Sequence, residues 1–241
     1  GAVQRVIPLA LRRWRRKPGL RALREARNFF SELRSVRYDL VLDSQGLLKS
    51  AVIARLARGA SAGFDRSSAR EPSAAQAYWR SFAGPGALHA VERQRRLFAA
   101  ALGYTLGTEP PGYGLKPGPL PLMPGGGYVV LLHGTTWDSK RWPDAYWPRL
   151  AACIADRGLR SVLPWGNARE HGRALAIAAQ ALPTSVLPPL GLEQLAAVLR
   201  GARAAVGVDT GLAHLAAALA VPTLTLYGAT DPARTGTRGP G

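Results

Sequence analysis

The chain is poor in cysteine, in acidic residues and in long apolar runs, and each shortage closes off a class of protein. Cys153 is the one thiol in 241 residues, which excludes an internal disulfide framework and a cysteine-based zinc site. It sits in the apolar helical pattern LAACI (150–154), so a buried, inert thiol is expected. No apolar stretch reaches the length of a membrane-spanning helix, and no secretory signal pattern opens the chain. The expectation is a soluble protein of a reducing compartment. Acidic residues number 15 against 32 Lys and Arg, a net charge of +17. That excess demands an anionic partner, whether nucleic acid, acidic lipid or a phosphorylated sugar. Arg dominates the cations in a chain also rich in Ala, Leu, Gly and Pro, so their clustering says more than their number.

What is present points to an α/β protein. At 47% hydrophobic residues the chain can bury a full core. Pro and Gly crowd into EPPGYGLKPGPLPLMPGGG (109–127), a linker by composition. Two domains are expected, 1–115 and 128–241, joined by 116–127. Short β-branched or apolar runs predict strands at 38–42, 128–132, 161–163, 204–208 and 223–226. Between them, 3.6-residue periodicity predicts helices over 47–57, 89–102, 143–157, 170–181, 192–201 and 212–220. Val91, Leu97, Phe98 and Leu102 are the apolar positions of the second. Alternation of this kind builds parallel sheets with helices on their faces. Two such halves across a linker place a ligand cleft between them.

Polar residues appear where the predicted strands end, which is where open α/β sheets bind ligands. After 204–208 come Asp209, Thr210, Gly211 and then His214, at a helix N-terminus whose free N–H groups suit a phosphate. Asp209 needs partners if buried, and sugar hydroxyls or the turn's own N–H groups would serve. A lone His on an apolar helix is more often a satisfied core residue, yet His214 lies one turn from Gly211. After 128–132, Thr135, Thr136 and Lys140 share a loop that suits a diphosphate and equally describes an ordinary Ser/Thr turn before a helix. Glu170, after 161–163, fits a ribose diol. It also fits the first turn of a helix, the better reading when Glu170 is taken alone. The densest cationic run, RRWRRK (12–17), follows an apolar strand-like stretch at 5–9. A solvated basic face is the ordinary reading of such a run, and nothing around it points specifically to nucleic acid.

Together, TTWDSKRWP (135–143), WGNAREHGRA (165–174) and VDTGLAHLAAAL (208–219) resemble the donor-site motifs of the lipopolysaccharide heptosyltransferases of glycosyltransferase family 9. RVIPLALRRWRR (5–16), YDLVLDSQGLLKSA (38–51), GFDRSSAREP (63–72) and HAVERQRRLFAAALGY (89–104) resemble the N-terminal domain of that family. The resemblance implies a GT-B fold, two Rossmann-like domains facing across a cleft. It also implies an inverting transfer of L-glycero-D-manno-heptose from ADP-heptose to a Kdo sugar of lipid A, without cofactor or metal. Thr135, Thr136 and Lys140 would then hold the diphosphate, with Lys140 stabilising the leaving group. Glu170 would meet the ribose and Leu190 the adenine, while Asp209, Thr210, Gly211 and His214 would meet the heptose and phosphates. Arg12, Arg13, Arg15, Arg16 and Lys49 would face the anionic acceptor. That implies a cytoplasmic enzyme, peripheral on the inner membrane of a Gram-negative bacterium, with no nucleic-acid partner.

The chain departs from that family at both ends. It begins GAVQRVIP, without the opening strand, Gly-containing loop and aspartate base, and it stops at GTRGPG. It therefore resembles an internal fragment with an incomplete N-terminal domain, its general base expected upstream of Gly1 and its transfer activity impaired. Asp43 is the nearest carboxylate after a strand, and a loop or helix-capping role is expected of it. Two alternatives stand beside the resemblance: another family 9 or GT-B nucleotide-sugar enzyme, and a non-enzymatic basic module for nucleic acid or anionic membrane.

Overall fold

The computed structural model of the chain describes residues 3–119 and 125–240. They form two compact units, Gly1–Gly107 and Thr108–Gly241. Part of the expected 116–127 linker, residues 120–124, lies outside the described residues.

The first unit opens with two helices, α1 (Leu11–Arg16) and α2 (Leu20–Leu33). Then follow β1 (Tyr38–Leu42), α3 (Leu48–Leu56), β2 (Gly59–Phe64), a 3-10 turn (Pro72–Ala77), β3 (Arg80–Phe82) and α4 (Ala90–Leu102). Among the described residues, its sheet is parallel with order β1-β2-β3. β2 is made of small residues because its neighbours press close. The Tyr78 ring lies 2.4 Å from where a Cβ on Gly63 would be, so no larger residue fits there. Helix α4 starts where His89 Nδ1 accepts the Val91 N–H at 3.2 Å, and it ends at Gly103 with φ 74°. That left-handed residue is the usual glycine stop.

The second unit alternates strand and helix: β4 (Tyr128–Leu132), α5 (Tyr146–Ala155), β5 (Arg160–Leu163), α6 (Ala168–Ala178), β6 (Thr184–Val186), α7 (Leu192–Gly201), β7 (Ala204–Val208), α8 (Gly211–Ala218), β8 (Thr223–Leu226) and the short α9 (Pro232–Thr235). Its sheet is parallel with order β6-β5-β4-β7-β8. All of β4 is buried, as a central strand covered on both faces must be, hence the unbroken YVVLL. Val129 and Leu131 pack with Trp147, Ala151 and Ile154 of α5 and with Ala174 and Ile177 of α6. Tyr128, Val130 and Leu132 pack on the opposite face with Val198, Leu199, Ala213 and Ala216 of α7 and α8. The chain winds outward from β4 through β5 to β6, then returns to β7 beside β4. The strand order therefore reverses between β4 and β7, and a ligand crevice is expected above their C-terminal ends.

Several expectations are corrected. Residues 5–9 form no strand. Pro8 has no N–H to give a ladder, and Arg5 is tied instead to Glu32 of α2, Nε to Oε1 at 3.1 Å. The basic run beyond it is helical. Helix α5 begins at Tyr146 rather than Pro143, after a loop that Arg141 braces against Asp144. Cys153 is exposed, because α5 turns Trp147, Ala151 and Ile154 to the sheet and Cys153 lies on the other face. Phe98 and Leu102 are exposed for the same reason, the buried side of α4 carrying Leu97 and Ala99. Helix α2 and strands β2, β3 and β6 were not expected at all.

Candidate functional site

The reversal between β4 and β7 gathers most of the candidate residues. Thr135 and Thr136 lie in the loop that leaves β4, and Lys140 ends a 3-10 turn (Asp138–Lys140) in the same loop. Asp209 and Thr210 lie between β7 and α8, with Gly211 as the first residue of α8. Glu170 is in the first turn of α6, whose N-cap Asn167 accepts the Glu170 N–H at 3.0 Å. Gly134, Thr135, Thr136, Glu170 and Thr210 line one cavity of about 140 Å³, with Trp165, Leu195 and Leu212 as apolar walls. Gly134 makes room for the acid: a Cβ there would stand 2.7 Å from the Glu170 carboxyl carbon. Glu170 Oε2 accepts the Gly166 N–H at 2.7 Å, which leaves Oε1 available. Thus the helix-turn role and an open acceptor coexist in one residue.

Asp209 is the most tightly held acid of the set. It is buried, and its Oδ2 accepts both Lys140 Nζ and Thr230 Oγ1 at 2.7 Å. The His214 Nε2 stands 3.5 Å from Oδ1. Burial pushes the Asp209 carboxyl up, but the Lys140 and Thr230 hydrogen bonds, with the charges of Lys140 and His214, outweigh it and hold the group below the usual range. Lys140 thereby spends one N–H on Asp209 and keeps two. Among the described residues, no side chain caps the N-terminus of α8, and a Cβ on Gly211 would meet nothing within 4 Å. The space over that positive helix end is open.

Not every expected residue joins the cavity. Lys140, Asp209, Gly211 and His214 stand outside its lining, and so does Leu190, which packs against the β4 core as Leu212 also does; the apolar walls come from Trp165, Leu195 and Leu212. Thr230 and Trp165 were missed. Thr230 stands in the loop after β8, where a lone Thr in GATDP gives no signal of a partner 21 residues back. Trp165 is fixed by its Nε1 donating to Leu187 O at 2.7 Å and by His171 stacked 4.3 Å from its ring. An aromatic directly before a Gly–Asn helix cap was the available clue.

In the first unit, Arg12, Arg13 and Lys49 line one depression with Gln45 and Ser50. Arg15 and Arg16 are exposed on α1 without that company. Arg13 is partly engaged: its Nη2 meets Glu25 Oε2 at 2.6 Å, where Trp14 Nε1 also donates at 2.9 Å. Asp43 is buried and accepts three donors, Gln45 N at 2.8 Å, Ser50 Oγ at 2.7 Å and Tyr78 OH at 2.6 Å. It ties β1 to α3, as a loop role requires. Among the described residues, no cluster of three or more His, Cys, Asp or Glu is placed to hold a metal ion, and no helix is long and apolar enough to cross a membrane.

Comparison with known proteins adds the chemistry. The profile described as glycosyltransferase family 9 (heptosyltransferase) matches residues 26–240. A lipopolysaccharide heptosyltransferase 1 of Pseudomonas aeruginosa is 52% identical over 99% of this chain and 68% of its own length. The solved structure of E. coli heptosyltransferase WaaC with ADP superposes with TM-score 0.89 at 43% identity, covering 99% of this chain and 76% of that one. WaaC with ADP-2-deoxy-2-fluoro heptose gives TM-score 0.89 at 44% identity, over 96% of this chain and 75% of that one.

Proposed function

Because this chain belongs to glycosyltransferase family 9, the heptosyltransferases, we propose that the crevice over β4 and β7 is the ADP-heptose site of its heptose transfer to a Kdo–lipid A acceptor. The fold is GT-B, and the enzyme transfers heptose in building the lipopolysaccharide inner core. The observation that carries the residue assignment is the convergence of Thr135, Thr136, Lys140, Asp209 and Thr210 at one strand-order reversal.

Each group has a physical task. The Thr135 and Thr136 hydroxyls and the two spare N–H groups of Lys140 receive the diphosphate. Glu170 Oε1 accepts from the ribose, and Trp165, Leu195 and Leu212 shelter the adenosine. As the acceptor hydroxyl, its proton passing to a general base, displaces ADP from the anomeric carbon, negative charge grows on the departing diphosphate. Lys140 and the open end of α8 oppose that charge and lower the barrier. Asp209 and His214 face the sugar. Arg12, Arg13 and Lys49 face the acceptor's anionic groups. The exposed Arg15, Arg16 and Lys17, beside the exposed Leu20 and Leu23 of α2, suit peripheral contact with the anionic cytoplasmic face of the inner membrane.

Calorimetry and thermal shift with ADP and ADP-heptose test the donor site. ADP stabilises the unaltered protein, and Lys140→Ala abolishes the effect at the same concentrations. A folded protein indifferent to both nucleotides overturns the reading. For the acceptor, heptose transfer to Kdo–lipid A exceeds transfer to an acceptor already bearing heptose, and the reverse order excludes the Kdo assignment.

A further inference from the structure

The Asp209 carboxylate is held unevenly. Among the described residues, both hydrogen-bond donors within reach, Lys140 Nζ and Thr230 Oγ1, converge on Oδ2 at 2.7 Å, whereas Oδ1 has only the His214 imidazole at 3.5 Å. One oxygen is saturated and the other is spare. The two donors also differ in kind. Lys140 carries its charge on a long flexible stem, and a diphosphate in the cavity competes for it. Thr230 is short and β-branched, with a restricted χ1, so its hydroxyl stays where the backbone places it.

That backbone is well anchored. A Cβ on Gly228 would lie 3.2 Å from the Ser139 carbonyl oxygen, so the loop after β8 packs directly on the turn that carries Lys140. On its other side Asp231 caps α9, its Oδ1 accepting the Ala233 N–H at 2.9 Å. Just beyond, Thr237 N donates to Tyr227 OH at 2.7 Å. Asp209 itself is pinned to this region through its own N–H, which donates to Leu226 O at 3.2 Å.

We propose that Thr230 is a positioning residue for heptose transfer. It fixes Oδ2 of Asp209 while Lys140 serves the diphosphate, and so keeps Oδ1 turned out as the acceptor for a hydroxyl of the transferred sugar. This rests on the ADP-heptose reading of the crevice. Thr230 touches neither phosphate nor sugar, and its effect is confined to the sugar half of the donor. The charged and titratable groups that face Asp209 are Lys140, from the loop after β4, and His214, from α8.

The test compares ADP with ADP-heptose by calorimetry, without acceptor, on the unaltered protein, Thr230→Val and Thr230→Ser. In the unaltered protein ADP-heptose binds more tightly than ADP. Thr230→Val removes one charge-assisted hydrogen bond at nearly constant volume, and the ADP-heptose advantage falls about tenfold. Affinity for ADP alone stays within about twofold, because Lys140 and the α8 N-terminus are untouched. Thr230→Ser keeps the hydroxyl and restores the advantage. Equal weakening of both ligands marks a merely structural role and overturns the proposal. So does an unchanged advantage in Thr230→Val, or a Ser variant no better than Val. Failure of the unaltered protein to bind ADP overturns the crevice assignment itself, a separate result.

Discussion

Glu25 in one unit and Asp209 in the other each sit between a cation and a second donor, at nearly the same distances, yet the two clasps do different work. Glu25 on α2 accepts Arg13, Arg21 and Trp14 at 2.6 to 3.1 Å. The Arg13 hydrogen bond, foremost, pulls its carboxyl down to about 2. Asp209 accepts Lys140 and Thr230 at 2.7 Å. Glu25 lies on a solvated helix face with both its carboxylate oxygens engaged, so it ties α1 to α2 and neutralises one arginine of the basic run. Asp209 lies at a buried strand end with Oδ1 left over, so its clasp holds a ligand-facing oxygen. Similar contacts therefore give a surface brace in one place and a site in the other. What separates them is water: it screens the exposed pair, whereas removing one partner of the buried pair leaves a charge that water does not reach.

Breaking the buried clasp has the largest expected effect. Lys140→Met leaves the Asp209 charge buried with one donor fewer, and urea denaturation shows a loss of about 3–5 kcal/mol. Arg13→Met, at the exposed clasp, leaves the urea midpoint unchanged within error.

Acid separates the two units next. Burial first, then the Arg173 charge, lowers the buried His133 imidazole to about 4. Its folded value lies below the unfolded 6.5, so the unfolded state binds the proton first as pH falls. The stability it contributes is complete above pH 6.5 and is lost on the way down to about 4, a span of about 3 kcal/mol. Urea midpoints between pH 7 and pH 4 measure it, and His133→Gln flattens that slope. Glu25 contributes its part above 4.5 and loses it only as pH falls toward 2. Hydrogen exchange at pH 5 therefore loosens the Thr108–Gly241 unit while the α1–α2 amides keep their protection.

A smaller effect ranks the arginines. Arg15→Ser weakens binding to anionic vesicles by about 1 kcal/mol, roughly fivefold, and high salt removes the difference. Arg13→Ser costs less than Arg12→Ser, because Glu25 already occupies Arg13. Equal losses at both positions would show that the clasp opens at the membrane. The smallest changes come from Cys153→Ser and Leu23→Ser, both exposed, which stay within about 0.5 kcal/mol in stability.

Legibility followed the same divide. In the Thr108–Gly241 unit YVVLL and AAVGV announced β4 and β7 with their observed bounds, because strands buried inside a parallel sheet are apolar throughout, and the β-branched TLTL announced the edge strand β8. In the Gly1–Gly107 unit β2 is GASAGF, whose Gly63 answers to Tyr78 and Gly59 to Tyr38, and whose small residues carry little strand preference of their own. Helix α2 was hidden by its arginines. The charge divides likewise. Gly1–Gly107 holds 20 Lys and Arg against 7 acids, a net +13, and Thr108–Gly241 holds 12 against 8, a net +4.

By itself the sequence determined the α/β alternation, the polar strand ends and the identities of Thr135, Thr136, Lys140, Glu170, Asp209 and His214 as site candidates, since each follows from local period and residue type. Only the tertiary structure decided which of them meet. Lys140 and Asp209 are 69 residues apart and touch because the strand order reverses between β4 and β7. Thr230 joins them because β8 pairs with β7. Leu190 stands outside the cavity's lining, and Arg13 shares one nitrogen with Glu25 while still lining the depression with Arg12 and Lys49. Partnership across a sheet depends on strand order and burial, which a linear pattern of residue types does not carry.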